Sequence, residues 1–308
     1  MVRKLSKRIL LVIVLFTVLS GVFSCSQTSD SEIVYKPVTI DEATYVDYEE
    51  GTFRAYVLNV GEASCLVIES DGEYAVVDAG DDNTASYVFS AISKPEYIGA
   101  TSITYLFFTH FHEDHIGAGP GLIEKLKVKE VYGPNYEPAA DGNNSLRTYN
   151  SLKTRMRSKG LKMHCPISTE ELELGQIKIK MIPPYKITSD DNKNSLALLF
   201  YDQYGNVLYV GGDSEKENEK KQLDEIDKID VYIVNHHGSN TSSSEEFISA
   251  TQPRYAVISC SEGSSKHPSP EVLERLERHG CEIYYTYKER KSGENLSIVF
   301  SEDGIAIH

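Results

Sequence analysis

The sequence predicts an α/β domain in which two β-sheets pack together with helices on their outer faces. Three observations lead there. Strand and helix signals alternate from Thr52 to the end of the chain, the second half restates the plan of the first, and 40% of the 308 residues are hydrophobic, enough for a sizeable core.

Phe53–Asn59, Cys65–Ser70 and Tyr74–Asp78 read as consecutive strands, separated by turn residues at Gly61 and Asp71-Gly72. Thr84–Ser93 reads as a helix and Tyr105–Thr109 as a buried strand. Helices follow from about Gly119 to Lys127 and over Ser145–Lys159. In the second half, Ile177–Ile182, Ser195–Tyr201 and Val207–Val210 read as strands. A polar helix covers Glu215–Leu223, then come a strand Val231–Val234, a helix near Ser244–Ala250 and a strand Tyr255–Ser259. Ser269–His279 reads as a helix with Pro270 in its first turn, and strands near Glu282–Thr286 and Leu296–Phe300 close the chain.

Three segments make up the chain: a signal peptide over residues 1–24, a lipidated cysteine and polar tether over 25–51, and the folded domain over 52–308. Lys4, Lys7 and Arg8 precede the apolar run Ile9–Phe16, and small residues lead to Cys25, the pattern of a secretory signal. Leu19-Ser20-Gly21-Val22-Phe23-Ser24-Cys25 resembles a bacterial lipobox, in which the cysteine is acylated; ordinary cleavage and an uncleaved anchor helix are the other readings. The expectation is an exported protein held at the outer face of the bacterial cell membrane. Net charge is −15, and residues 1–24 contribute only cations, so the remainder is more acidic still. Such a charge weighs against tight nucleic-acid binding, which rests on Lys and Arg neutralising phosphates, but not against brief hydrolysis. Cys65, Cys165, Cys260 and Cys281 lack metal-like spacing, and Cys65 and Cys260 lie in apolar runs that suit buried free thiols.

The chemical signal is Thr109-His110-Phe111-His112-Glu113-Asp114-His115. Three of the chain's 9 histidines fall within six positions, too dense for a chance polar loop. Side chains two apart on an extended segment point the same way, so His110 and His112 can grip one ion, while Asp114 and His115, past the strand end, can face a second. Imidazole and carboxylate ligands suit zinc, and manganese or iron as well.

This segment matches the HxHxDH signature of the metallo-β-lactamase superfamily, and the chain resembles that superfamily along most of its length. The resemblance implies a four-layer αββα sandwich and two divalent metal ions, zinc foremost with manganese as the alternative. It implies a supporting role for Asp78 in Val76-Val77-Asp78-Ala79-Gly80, and a bridging carboxylate at Asp213 in Gly211-Gly212-Asp213. Further segments resemble the extracytoplasmic hydrolase domain of the ComEC-type competence DNA-uptake protein. They are Leu58–Ser64, Asn194-Ser195-Leu196, His236-His237-Gly238-Ser239 and His267-Pro268-Ser269-Pro270-Glu271-Val272-Leu273. Asn59 and Glu62-Ala63 depart from the usual opening, and the third histidine expected before Ser195 is absent. Asp190 or Asp191 is the nearest substitute ligand, although a solvated turn residue is the commoner fate of any one aspartate in a loop. Nothing after residue 25 approaches a spanning length, so the resemblance carries the hydrolase and not the transport.

The expected roles follow. His110 and His112 bind the first metal, Asp114 and His115 the second, and Asp213 bridges. His267 is the choice for the last ligand, with His236 and His237 as competitors; otherwise that pair serves with Asp114 in catalysis, contacting substrate or moving a proton. Two adjacent cations make hydroxide from water at neutral pH. The leading function is an exported metal-dependent hydrolase, which the ComEC-type resemblance implies is a phosphodiesterase or nuclease acting on DNA or a cell-wall polymer. The alternatives are a small-molecule amide or ester hydrolase of lactamase or lactonase type, and a non-catalytic metal-binding lipoprotein.

Overall fold

The computed structural model describes residues 53–139, 144–287 and 295–308. The signal, Cys25 and the tether lie outside the described residues.

The chain first lays down β1 (Phe53–Val57), β2 (Leu66–Ser70), β3 (Glu73–Val77), β4 (Ser102–Phe107), β5 (Lys127–Tyr132) and β6 (Met163–His164) as neighbours in one sheet. Helices α1 (Ala85–Ser93), α2 (Glu113–Ile116), α3 (Gly119–Lys125) and α4 (Ser145–Ser158) fall between these strands. A second sheet follows in chain order: β7 (Glu170–Leu174), β8 (Ile177–Ile182), β9 (Ala197–Tyr201), β10 (Val207–Val210), β11 (Val231–Ile233), β12 (Tyr255–Ile258) and β13 (Glu282–Tyr285). Its helices are α5 (Lys216–Gln222), α6 (Glu245–Thr251) and α7 (Pro270–Arg278). The last strands, β14 (Leu296–Ser301) and β15 (Gly304–Ile307), return to the first sheet beside β1. The two halves are therefore not a clean repeat: the C-terminal hairpin closes the edge of the N-terminal sheet.

Strand alternation sorts the core into three layers. Ala75 and Val77 of β3 join Leu198 and Phe200 of β9, Leu208 and Val210 of β10, and Val231 and Ile233 of β11 in the core between the sheets. The alternate residues point outward: Val76 and Leu106 pack with Val88, Ile92, Leu122 and Leu152 of the first helical layer. Tyr209, Tyr232 and Ala256 pack with Phe247, Val272 and Leu276 of the second. Both faces of both sheets are thus covered, which is the four-layer αββα sandwich the sequence implied.

The strands and helices read from the sequence are present, with ends shifted by up to three residues. Four strands went unread: charge hides β5 and β7, while β6 and β15 are too short to show a pattern. In β5 the side chains of Lys127, Lys129 and Glu130 are exposed, leaving only Val128, Val131 and Tyr132 to mark the buried face. β7 is rich in glutamate and sits at a sheet edge, where Glu171 and Glu173 lie opposite Lys180 and Lys178 of β8. β15 is short and half-buried. Cys65, Cys165, Cys260 and Cys281 are free, and Cys65 and Cys260 are buried as expected. Burial pushes the Cys65 thiol well above its ordinary range, so it stays neutral.

β3 and β4 run parallel in one sheet, and β10, β11 and β12 in the other. Asp78, His110–His115, Asp213 and His236-His237 all follow the C-terminal ends of these strands, where open α/β sheets leave a crevice.

Candidate metal centre

Thr109 links the two sheets at this crevice. Its amide donates to Asp78 Oδ1 at 2.8 Å and its hydroxyl to Asp78 Oδ2 at 2.7 Å. Its carbonyl accepts from the Leu196 amide at 2.7 Å, across to the second sheet. Gly212 takes φ +56°, and a Cβ there would stand 2.4 Å from Thr109 Oγ1. Only glycine lets the turn after β10 come this close, and that approach delivers Asp213.

Asp78 also fixes His115. The His115 Nδ1–H donates to Asp78 Oδ2 at 2.7 Å, so the lone pair of this buried imidazole sits on Nε2. His237 is set in the same way. Its Nδ1–H donates to the Ser259 carbonyl at 3.1 Å, which again leaves Nε2 as the acceptor. His236 and His237 both have positive φ, 51° and 54°, so the chain turns sharply after β11 and sends one imidazole inward. Buried Glu219 holds this turn: it accepts from Asn235 Nδ2 at 3.0 Å and from the amides of Ser243 and Ser244 at 2.5 and 2.8 Å.

Around Asp213 these directions converge. His115 Nε2 lies 3.1 Å from Asp213 Oδ1 and 3.8 Å from Asp114 Oδ2. His237 Nε2 lies 3.7 Å from Asp213 Oδ1 and 3.6 Å from Asp114 Oδ2. The other oxygen, Asp213 Oδ2, is 3.9 Å from His110 Nε2 and 3.6 Å from His236 Nε2. His112 Nε2 is 3.9 Å from Asp191 Oδ2, and the rings of His110 and His112 stand 4.7 Å apart.

Two tests show that these residues fit divalent cations. Ligand atoms about 2.1 Å from one shared ion stand roughly 3–4 Å from each other, which is the spacing found here. Moreover, His110 Nε2, His115 Nε2, His237 Nε2 and Asp213 Oδ1 are buried without a hydrogen-bond partner. Four lone-pair-bearing atoms left unsatisfied at one point would cost several kcal/mol, unless a cation satisfies them together. Protons alone respond to the same field. Burial disfavours the charge on His115, but the carboxylates of Asp213, Asp78 and Asp114 outweigh it and hold His115 well above the usual histidine range. Burial likewise opposes ionised Asp213, yet His115 and His237 keep its carboxyl well below the usual carboxylate range.

Of the residues singled out in the sequence, two groups of ligand atoms form: His110, His115 and Asp213, and Asp114, His115 and His237. Asp78 supports His115 from behind. His112 and His267 are in neither group: His112, expected to share an ion with His110, faces Asp191 instead, and the His267 ring lies 5.6 Å from that of His236 and 6.4 Å from that of His237. The place proposed for His267 beside Asp114 and His115 is taken by His237, because the left-handed turn after β11 carries it inward. Asp191 is buried near His112, whereas Asp190 points outward to Lys193 at 3.8 Å. Sequence reasoning missed Thr109, Ser259 and Glu219. Thr109 could have been flagged by its place between the strand and the first histidine. Glu219, in Lys216-Glu217-Asn218-Glu219-Lys220-Lys221, carries no signal that separates it from a solvated helix face.

Replacing Gly212 tests the link between fold and centre. Gly212→Ala is expected to cost about 2–4 kcal/mol by urea unfolding in EDTA, from left-handed strain plus overpacking against Thr109. It should also weaken cation binding at least tenfold by calorimetry, since Asp213 moves with it. A variant with unchanged stability and affinity would show that the close approach does not position Asp213.

Comparison with known proteins agrees with this geometry. The Metallo-beta-lactamase superfamily profile matches residues 58–262. The competence protein ComA of Neisseria gonorrhoeae is 34% identical over 234 residues, covering 75% of this chain and 30% of its own length. The zinc phosphodiesterase ELAC protein 1 of Bos taurus is 31% identical over 94 residues, 27% of this chain and 24% of its own length. Among solved structures, the metallo-beta-lactamase fold protein YhfI of Bacillus subtilis superposes with a TM-score of 0.51 at 14% identity, covering 80% of this chain and 99% of that one. The chain spans less than a third of the length of the competence relatives it matches. With its HxHxDH segment, buried aspartate pair and two packed sheets, this chain belongs to the metallo-beta-lactamase superfamily of metal-dependent hydrolases.

Proposed function

We propose that this chain is an exported metal-dependent phosphodiesterase, cleaving DNA or another phosphodiester polymer outside the cell. The observation that carries this reading is Asp213, whose two oxygens face two separate sets of imidazoles. A carboxylate so placed suits a pair of cations, the arrangement used for displacement at phosphorus. Similarity to a relative named a zinc phosphodiesterase supports the same chemistry, and similarity to competence proteins supports a role in handling DNA.

Divalent cations held there supply an activated water at neutral pH and positive charge for the anionic transition state. The chain's own residues do the rest. Asp78 and Ser259 lock His115 and His237 in the tautomers that offer Nε2 inward. His236 differs: its side chain is partly exposed, its Nδ1 faces Thr241 Oγ1 at 3.3 Å and its Nε2 faces Asn192 Nδ2 at 3.3 Å. That places an imidazole at the rim, beside Asp213, as the residue suited to move a proton during the reaction.

The purified domain is expected to cleave bis-p-nitrophenyl phosphate and single-stranded DNA, and to leave nitrocefin intact. His236→Gln should lower the rate about 100-fold or more while keeping its metal. His112→Ala and Asp213→Ala should lose both rate and metal. Turnover of nitrocefin alone would contradict the proposal. Export is proposed from Lys4, Lys7, Arg8 and the run Ile9–Phe16, with Cys25 as the lipid-bearing residue. In bacterial cells the full chain should partition into the detergent phase of a Triton X-114 extract and Cys25→Ser should not; equal partitioning would remove the lipid anchor.

A further inference from the structure

A cavity of about 380 Å³ lies between the exit of β8 and helix α5, outside the metal centre. We propose that it holds a nucleobase of the strand being cleaved, which makes a nucleic acid, and not a base-free polymer, the substrate class. This inference rests on the phosphodiesterase reading above and deepens it.

The walls suit a flat ring. Ile182 and Pro183 at the end of β8 and Ile167 ahead of β7 are apolar, and Tyr185 presents an aromatic face. Ile167 is 84% exposed and Tyr185 69%, the two highest values for large hydrophobic side chains among the described residues. Apolar surface this open gains by being covered. An exposed tyrosine is also the platform on which single-stranded nucleic acids stack their bases. The Lys221 ammonium stands 4.9 Å from the centre of the Tyr185 ring and steadies it.

The floor supplies a polar contact. Asn218 lines the cavity, yet it is only 7% exposed. Its Nδ2 donates to the Lys193 carbonyl at 2.6 Å, and its Oδ1 accepts from no described residue. Reversing the amide would set two oxygens against each other, so the free acceptor is Oδ1. An amide oxygen this deep calls for a donor, and the exocyclic amines of adenine, cytosine and guanine are such donors. Asp224 and Glu225 line the same cavity. Their charge disfavours a phosphate inside it and suits an uncharged base.

One stretch of chain joins this cavity to the rim of the centre. Lys193, held by Asn218, follows Asn192, whose Nδ2 stands 3.3 Å from His236 Nε2. A strand with its phosphate at the centre therefore has the cavity one loop away from that rim.

Deoxyadenosine, titrated into metal-free protein and followed by its own proton NMR signals, tests the cavity without the centre. Wild type should bind it, and 2-deoxyribose should not compete. Tyr185→Ala should weaken binding about tenfold or more, the loss expected for one stacked base, whereas Tyr185→Phe should stay within about twofold of wild type. Tyr97→Ala, which removes an exposed tyrosine between α1 and β4, should match wild type. With zinc bound, Tyr185→Ala should raise the KM for single-stranded DNA about tenfold and keep its metal. Deoxyadenosine binding that is absent in wild type, or unchanged in Tyr185→Ala, would overturn the assignment. So would a wild-type dimer that Tyr185→Ala dissociates, since the patch would then belong to a second copy of this chain. Deoxyadenosine binding without phosphodiester turnover in the zinc-loaded protein would leave the cavity a nucleobase site and overturn the phosphodiesterase reading instead.

Discussion

Buried lone pairs that point at one another are the constraint on which this structure depends. Asp213 sits almost wholly out of solvent among His110, His115 and His237, and the Nε2 atoms of all three are buried without a hydrogen-bond partner. Without a cation, each unsatisfied atom in such an arrangement keeps its desolvation penalty. The fold supplies the hydrophobic energy that lets the penalty be carried until an ion arrives. Three stacked cores, with strand side chains alternating between them, give both sheets rigid ends from which the loops project.

What the loops share is a fixed backbone rather than a long side chain. Asp78 and Gly212 adopt left-handed conformations, as do His236 and His237. For residues other than glycine this costs of order 1–3 kcal/mol each. The strain is held by specific bonds: Thr109 grips Asp78, and Glu219 grips the loop after β11. Position in the centre thus comes from groups that never meet an ion themselves. This is why Thr109 and Glu219, neither of which could be a ligand here by placement, matter as much to the geometry as the histidines they support.

The sequence made the outline of this arrangement legible. Ile177–Ile182 was readable because Ile177, Ile179 and Met181 enter the inter-sheet core while Lys178 and Lys180 face the other way, and Val207–Val210 because a short apolar run feeds two cores. The dense cluster from His110 to His115 marked the centre, since few structural needs gather so many imidazoles. Three things lay beyond such reading. β7 and β5 are masked by charges that face solvent or an opposing strand. Glu219 looks like any helix-surface acid, because its burial depends on a loop more than twenty residues away. The choice between His237 and His267 turned on a backbone turn, and positive φ at a histidine leaves no trace in composition.

The account ties one chemical capacity to one geometric fact, that Asp213 faces two ligand sets at once. For the phosphodiester substrate proposed above, a net charge of −15 argues for capture at the centre itself and not by a broad basic surface. Anomalous diffraction from crystals grown with zinc or manganese tests this most directly. The account predicts two ions sharing Asp213, one against Asp114, His115 and His237 and the other against His110 and His112. A single ion bound away from Asp213, or none with the histidines in the same places, would contradict it.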